Sequence, residues 1–168
     1  MQQNADYPLP AIQWAQQQLS QYGRIGATRL IKVPDIAIAI PAVPGSTSAA
    51  PPLVWRDAGT VIAMYGQERA GTVAKFAQTE FRLVLTGDVD FVSNGNTGDF
   101  APLLAVVGPN VNWFPMTRRV ARGDNWAVTW RTQDALATAF PTMLFAFIAD
   151  TDLARVERDY DQSKSRPQ

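Results

Sequence analysis

Between Asn125 and Thr132 large apolar residues alternate with smaller or polar ones. Trp126, Val128 and Trp130 fall on one face of an extended chain, and Ala127, Thr129 and Arg131 fall on the other. Successive strand side chains point to opposite faces, so this period of two predicts a strand buried on one side. A tight polar turn, Arg122-Gly123-Asp124-Asn125, precedes it, and the run Asn112–Val120 before the turn is also strand-like. The two runs read as a core hairpin of an antiparallel β-sandwich. Large aromatics dominate sandwich interiors, so Trp126 and Trp130 are assigned to the core.

The chain from Leu53 to Asp150 agrees with that class. Strand signals recur about every ten residues between Gly, Pro and Asn turns, the rhythm of a sandwich or barrel and not of βαβ units. Leu53–Tyr65 carries Val54, Trp55, Val61, Ile62 and Met64 around a turn at Asp57–Gly59, and Gln67–Thr79 reads as a loop. Phe81, Leu83 and Leu85 face one way, with Arg82, Val84 and Thr86 facing the other. Ser93–Asp99 is the strongest turn signal, and Phe100–Val107 is a buried-type run. Thr142–Ala149 is apolar on both faces, which places it centrally.

The ends differ from this body. Pro10 can open a helix in which Ile12, Ala15, Leu19 and Tyr22 recur at helical spacing, with Trp14 off the stripe and Gly23 as the stop. Residues 24–52 carry Pro34, Pro41, Pro44, Pro51 and Pro52, which favour edge strand or polyproline-like chain. Within it Ile36, Ile38 and Ile40 alternate with Ala37 and Ala39 as a short strand. The segment reads either as a crossover loop or as an arm laid along another subunit by strand addition. At the far end Asp150 or Thr151 caps a helix carrying Leu153, Val156 and Tyr160, and Asp161–Gln168 has a disorder-like composition. The expected organisation is a helix and extended Pro/Ala-rich arm over 1–52, a β-sandwich over 53–150, jelly-roll-like or Ig-like, and a helix with a tail over 151–168.

Composition removes whole classes of chemistry. The 168 residues include neither Cys nor His, which excludes disulfides, thiolate nucleophiles, Ser-His-Asp sites and the usual zinc ligands. Lys+Arg and Asp+Glu balance at 15 each, so no basic field would hold a nucleic-acid backbone. Charged residues make up 18%, below the roughly 25% of an average soluble protein. The N-terminal MQQNADYPLP lacks a secretory pattern, and no apolar run approaches the length of about 18 residues that a membrane span needs.

Four groups are site candidates. Asp88, Asp90 and Asp99, with Asn94 and Asn96, offer oxygens to a hard cation, although a hairpin turn explains the same residues. Arg122-Gly123-Asp124 matches the integrin tripeptide, and Gly-Asp between strands is ordinary turn chemistry. Trp55 after two prolines and Trp113 beside Pro115 are assigned to interface positions, together with Ile36, Ile38 and Ile40. Arg118, Arg119, Arg122 and Arg131 would meet carboxylates of a neighbour or line a solvated strand edge.

The arm Ile36–Pro52, the block Gly98-Asp99-Phe100-Ala101-Pro102-Leu103-Leu104 and the run Asn112–Arg131 sit in a Cys- and His-free β chain with a short helix at each end. This architecture resembles accessory structural proteins of tailed-bacteriophage virions: the decoration, head-fibre-base and head–tail adaptor class. The resemblance implies a non-enzymatic structural protein without cofactor that builds or decorates capsid or tail. Its partners would be copies of itself and other virion proteins, with no nucleic acid or membrane, and its place would be the virion, reached from the host cytoplasm. The alternatives are a carbohydrate- or receptor-binding sandwich with a glycan partner, and a carboxylate- or metal-dependent enzyme.

Overall fold

The computed structural model describes residues 9–23, 25–37, 39–68, 79–85, 100–102, 113–133 and 141–165. Two antiparallel sheets and a pair of helices stack in three layers. The first sheet has the order β1 (Arg29–Lys32), β9 (Pro141–Ala149), β4 (Gly59–Glu68), β7 (Phe114–Val120). The second has the order β2 (Ser46–Ala49), β8 (Asn125–Thr132), β5 (Thr79–Val84), β6 (Ala101–Pro102), and β3 (Leu53–Val54) pairs with β8 beyond β2. Helices α1 (Leu9–Tyr22) and α2 (Leu153–Ser165) pack on the far side of the first sheet. The fold is thus the mainly antiparallel sandwich with short terminal helices that the patterning predicts.

The middle layer explains the run that is apolar on both faces. In β9, Met143, Phe145, Phe147 and Ala149 point into the core between the sheets. Ala146 and Ile148 point the other way, into the core beneath the helices, with Leu144 packed against it. A strand covered on both faces has no polar side to show. In β5 and β8 one face is fully buried: Phe81 and Leu83 with Trp126, Val128 and Trp130, each at most 2% exposed.

The expected hairpin does not form. β7 and β8 are consecutive, yet β7 pairs with β4 in the first sheet and β8 with β2, β3 and β5 in the second. The turn between them crosses from one layer to the other. Met116 and Val120 of β7 therefore face the tryptophans across the core instead of lying beside them. Trp55 pins the crossing: its N–H donates to the Asp124 carbonyl (2.9 Å) and its carbonyl accepts from Gly123 N–H (2.8 Å). Gly123 takes φ +92° there, and the Asp124 carboxylate accepts the Ala121 N–H at 2.8 Å. The Arg122-Gly123-Asp124 tripeptide is thus a turn whose carboxylate is already engaged.

Of the two readings of the proline-rich segment, the crossover loop holds and the arm does not. β1 joins the first sheet and β2 the second, so residues 33–45 form a crossover between layers of their own chain. Ile36 and Ile40 are 6% and 0% exposed in the inter-sheet core, and among the described residues of 36–40 there is only an isolated bridge at Ile40. A boundary at 52/53 would separate β2 from β3, which pair with the same strand.

At the other end α2 runs to Ser165 where a tail was expected from Asp161, and a short 3-10 turn over Asp150–Asp152 leads into it. The Asp150 carboxylate binds Arg119 of β7, and the N-cap position of that turn is taken by Ala149.

Helix α1 docks through Ala11, Ile12, Ala15 and Leu19, all buried, while Tyr22 turns out to be 73% exposed. Its docking is keyed to an irregularity in β4. Val61 lies opposite Phe147 and Ala63 opposite Ala146, so β4 has one residue more than β9 at this point. Ile62 and Ala63 consequently both face the helices, while Val61 and Met64 face the other sheet. The Gln16 side-chain amide donates to the carbonyls freed there, Ile62 O and Met116 O, at 2.9 Å each. Replacing Gln16 with leucine strands both acceptors beneath the helix. The expected loss is about 2 kcal/mol in urea denaturation, against less than about 0.5 kcal/mol for the exposed neighbour in Gln17→Leu. Equal effects of the two substitutions would show that the amide does not key the docking.

Candidate functional site

The site is a groove at the margin of the sandwich and the strand edge beside it. β1 is an outer strand of the first sheet. Val33 N–H donates to Met143 O at 2.9 Å, which makes Val33 opposite Met143 a hydrogen-bonded pair. Such pairs alternate along an antiparallel ladder, so Arg29 and Ile31 also bond toward β9. The N–H and C=O groups of Leu30 and Lys32 then point outward, with no strand paired to them among the described residues.

Outer strands are normally protected by charge, proline or brevity. β2 and β3 form the other margin on this side, and Pro51-Pro52, which lack N–H donors, interrupt it. On β1 the charges are neutralised. Arg29 donates to Asp57 and to Asp152, each at 2.9 Å, and Lys32 pairs with Asp35 at 2.8 Å. These groups are roughly a third to a half exposed, so each pair adds little stability, under about 1 kcal/mol. Their effect is to leave an edge without net repulsion, carrying Leu30 with 42% of its surface exposed.

Beside this edge a groove of about 600 Å3 opens between the sheets. Phe147, Trp55 and Leu53 line it with Ile31 of β1, and Arg56 and Asp57 stand with Arg29 among its polar residues. The Trp55 indole N–H is buried and has no partner among the described residues. The groove continues the face of β1 that carries Ile31. An extended segment adding to β1 would therefore send alternate side chains into it.

Of the described residues singled out in the sequence, Trp55 lines the groove and the others fall elsewhere. Ile36, Ile40, Trp55 and Trp113 are 6%, 0%, 2% and 6% exposed, so as outward-facing contacts all four are corrected. Trp113 packs on Tyr65 in the helix-side core, with ring centroids 5.7 Å apart. Ile38, and the carboxylates Asp88, Asp90 and Asp99, lie outside the described residues.

The arginines are largely used within the chain. Arg119 binds both oxygens of Asp150. Arg131 binds Glu80 across the β5–β8 ladder at 2.5 Å and lies 4.2 Å from the Phe100 ring centre. Arg118 is half-buried on β7, and Arg122 is exposed at the turn. Lys164 stacks over Tyr160 at 4.0 Å; the hydrogen bond to that residue raises its pKa above the ordinary lysine value, and the charge of Asp161 adds to this.

Leu30 and the groove were not legible as a site. RLIK sits in a proline-rich stretch, and only its pairing with β9 makes it an edge. Among the described residues no group of three His, Cys, Asp or Glu side chains could hold a metal ion, and no helix is long and apolar enough to cross a membrane. Comparison with protein-family models, curated proteins and solved structures finds no match.

Proposed function

We propose that this chain is a non-enzymatic structural protein of a viral particle of the tailed-phage type, joining copies of itself and other particle proteins by strand addition at β1. The observation that carries the reading is the combination at one margin: outward backbone groups on Leu30 and Lys32, neutralised charges, and an apolar groove on the adjoining face. In strand addition, main-chain hydrogen bonds supply affinity and side-chain pockets supply specificity. The sequence suggested a chain that donates an arm. With Ile36 and Ile40 in its own core, the chain is instead the acceptor of a neighbour's extended segment. Trp126 and Trp130, spaced on one strand face so that exposed rings there could stack a sugar, are instead buried, which disfavours a glycan platform on β8.

Leu30→Pro tests the mechanism. Proline removes an outward donor that β9 does not use and is tolerated at an edge. Light scattering on the purified wild type should reveal self-association, and the variant should be monomeric with an unchanged melting temperature. A wild type that stays monomeric at every concentration overturns the homo-oligomeric reading. Recovery of the chain in fixed stoichiometry from purified particles checks the virion assignment, and its absence from them removes it.

A further inference from the structure

A second concavity lies in the helix layer. The turn at residues 25–27 and the two helices enclose a half-open cleft of about 450 Å3, within the roughly 300–1,000 Å3 of small-molecule sites. Its floor is apolar, formed by Val156 (0% exposed) and Ala27 (6%). The indole of Trp14, half-buried and held by Tyr160 at a centroid distance of 6.1 Å, and the 73% exposed ring of Tyr22 supply aromatic surface. Gln18, Asp159 and Gln162 add two amides and a carboxylate.

Charge narrows the class of ligand. Among the described residues that line the cleft there is neither Lys nor Arg, which disfavours anions. A cation would find Asp159 and two aromatic rings, but Asp159 shares its helix face with Arg155 one turn earlier. The Arg155 guanidinium reaches to 3.6 Å from where a side chain on Gly26, itself a lining residue, would begin. Lys164 adds a further positive charge over Tyr160. The described charges around the cleft offset one another, so a cationic ligand gains little. What remains is apolar ring surface next to amide donors and acceptors and a carboxylate acceptor. That combination matches a molecule with C–H faces and vicinal hydroxyls.

We propose that this cleft binds a neutral saccharide, of one or two sugar units, stacked on Trp14 and Tyr22 and hydrogen-bonded by Gln18, Asp159 and Gln162. The site uses none of the groove residues at β1 and stands independently of the assembly reading.

The test uses the full chain labelled with 15N, titrated with N-acetylglucosamine, galactose and maltose to about 10 mM, the regime of weak ligands. The indole N–H signal of Trp14 should move with at least one sugar, while those of the buried Trp126 and Trp130 stay in place. Tyr22→Ala and Gln162→Ala alter exposed positions and should each weaken binding about tenfold, the loss of one contact of about 1.4 kcal/mol, without changing the melting temperature. Gly26→Ala, whose new methyl group meets only ordinary contact, should bind like wild type. The proposal is overturned if none of the sugars moves the Trp14 signal, if both variants bind as tightly as wild type, or if choline moves it and the sugars do not.

Discussion

Replacing Trp126 with alanine is expected to lower stability by about 3–5 kcal/mol, the range for a fully buried large aromatic. Trp126 stands on β8 and meets Phe145 of β9 edge-on, with ring centroids 5.1 Å apart at 88°. It meets Trp55 in the same manner at 4.9 Å and 73°, and Trp55 in turn packs on Phe147 at 5.0 Å. One indole thus joins both sheets to the segment that pins the β7–β8 crossing. The surrounding rings come from two separate parts of the chain, β9 and the segment at Trp55, and cannot all collapse into the space left behind, which sets the cost toward the upper end. By comparison, the exposed ion pairs of Arg29 and Arg119 should contribute less than about 1 kcal/mol each. Urea denaturation of Trp126→Ala checks this, and a loss under about 1 kcal/mol would mean that the aromatic cluster does not hold the layers together.

A methyl group on Gly59 is expected to be almost as damaging, at about 3 kcal/mol, the upper end for forced overpacking. A Cβ at this position would press on the Ile148 carbonyl oxygen and sit 2.5 Å from carbons of the Phe147 ring. Neither obstacle yields easily. The carbonyl belongs to the β9 backbone, and the ring is locked between the sheets against Trp55. Gly59 starts β4 where β9 ends, opposite Ala149, so the strain falls on the central pairing of the first sheet. Gly123→Ala provides the contrast. Its φ of +92° disfavours a side chain, yet nothing lies within 4 Å of the added atom, so the expected cost is only about 1–2 kcal/mol. A thermal melt in which Gly59→Ala is no worse than Gly123→Ala would contradict the close approach.

The contrast between the two glycines bears on what could be read in advance. Gly123 sits in a visible turn signal, and its special backbone follows from local sequence. Gly59 also sits at an expected turn, but the reason for its identity lies about ninety residues away in β9. The candidate site behaves in the same way. Trp55 and Trp113 follow or precede prolines and look displaced toward the surface, whereas long-range packing buries both. Leu30 looks like one more apolar residue in a loose segment, and only its strand partner makes it exposed at an edge.

By itself the sequence determined which faces are buried. Its periods of two and of helical spacing placed Trp126, Val128, Trp130, Phe81 and Leu83 inside, made β9 a strand covered on both sides, and put a short helix at each end. Composition removed histidine and cysteine chemistry. The tertiary structure alone decided to which sheet each strand belongs, turning an apparent hairpin into a crossing between layers and an apparent arm into strands β1 and β2. The physical reason is that a side-chain period records one face of a strand, while its hydrogen-bonding edges carry no such record. Edge partners are chosen by long-range closure of the whole core, and that closure also created the groove and the open edge at β1.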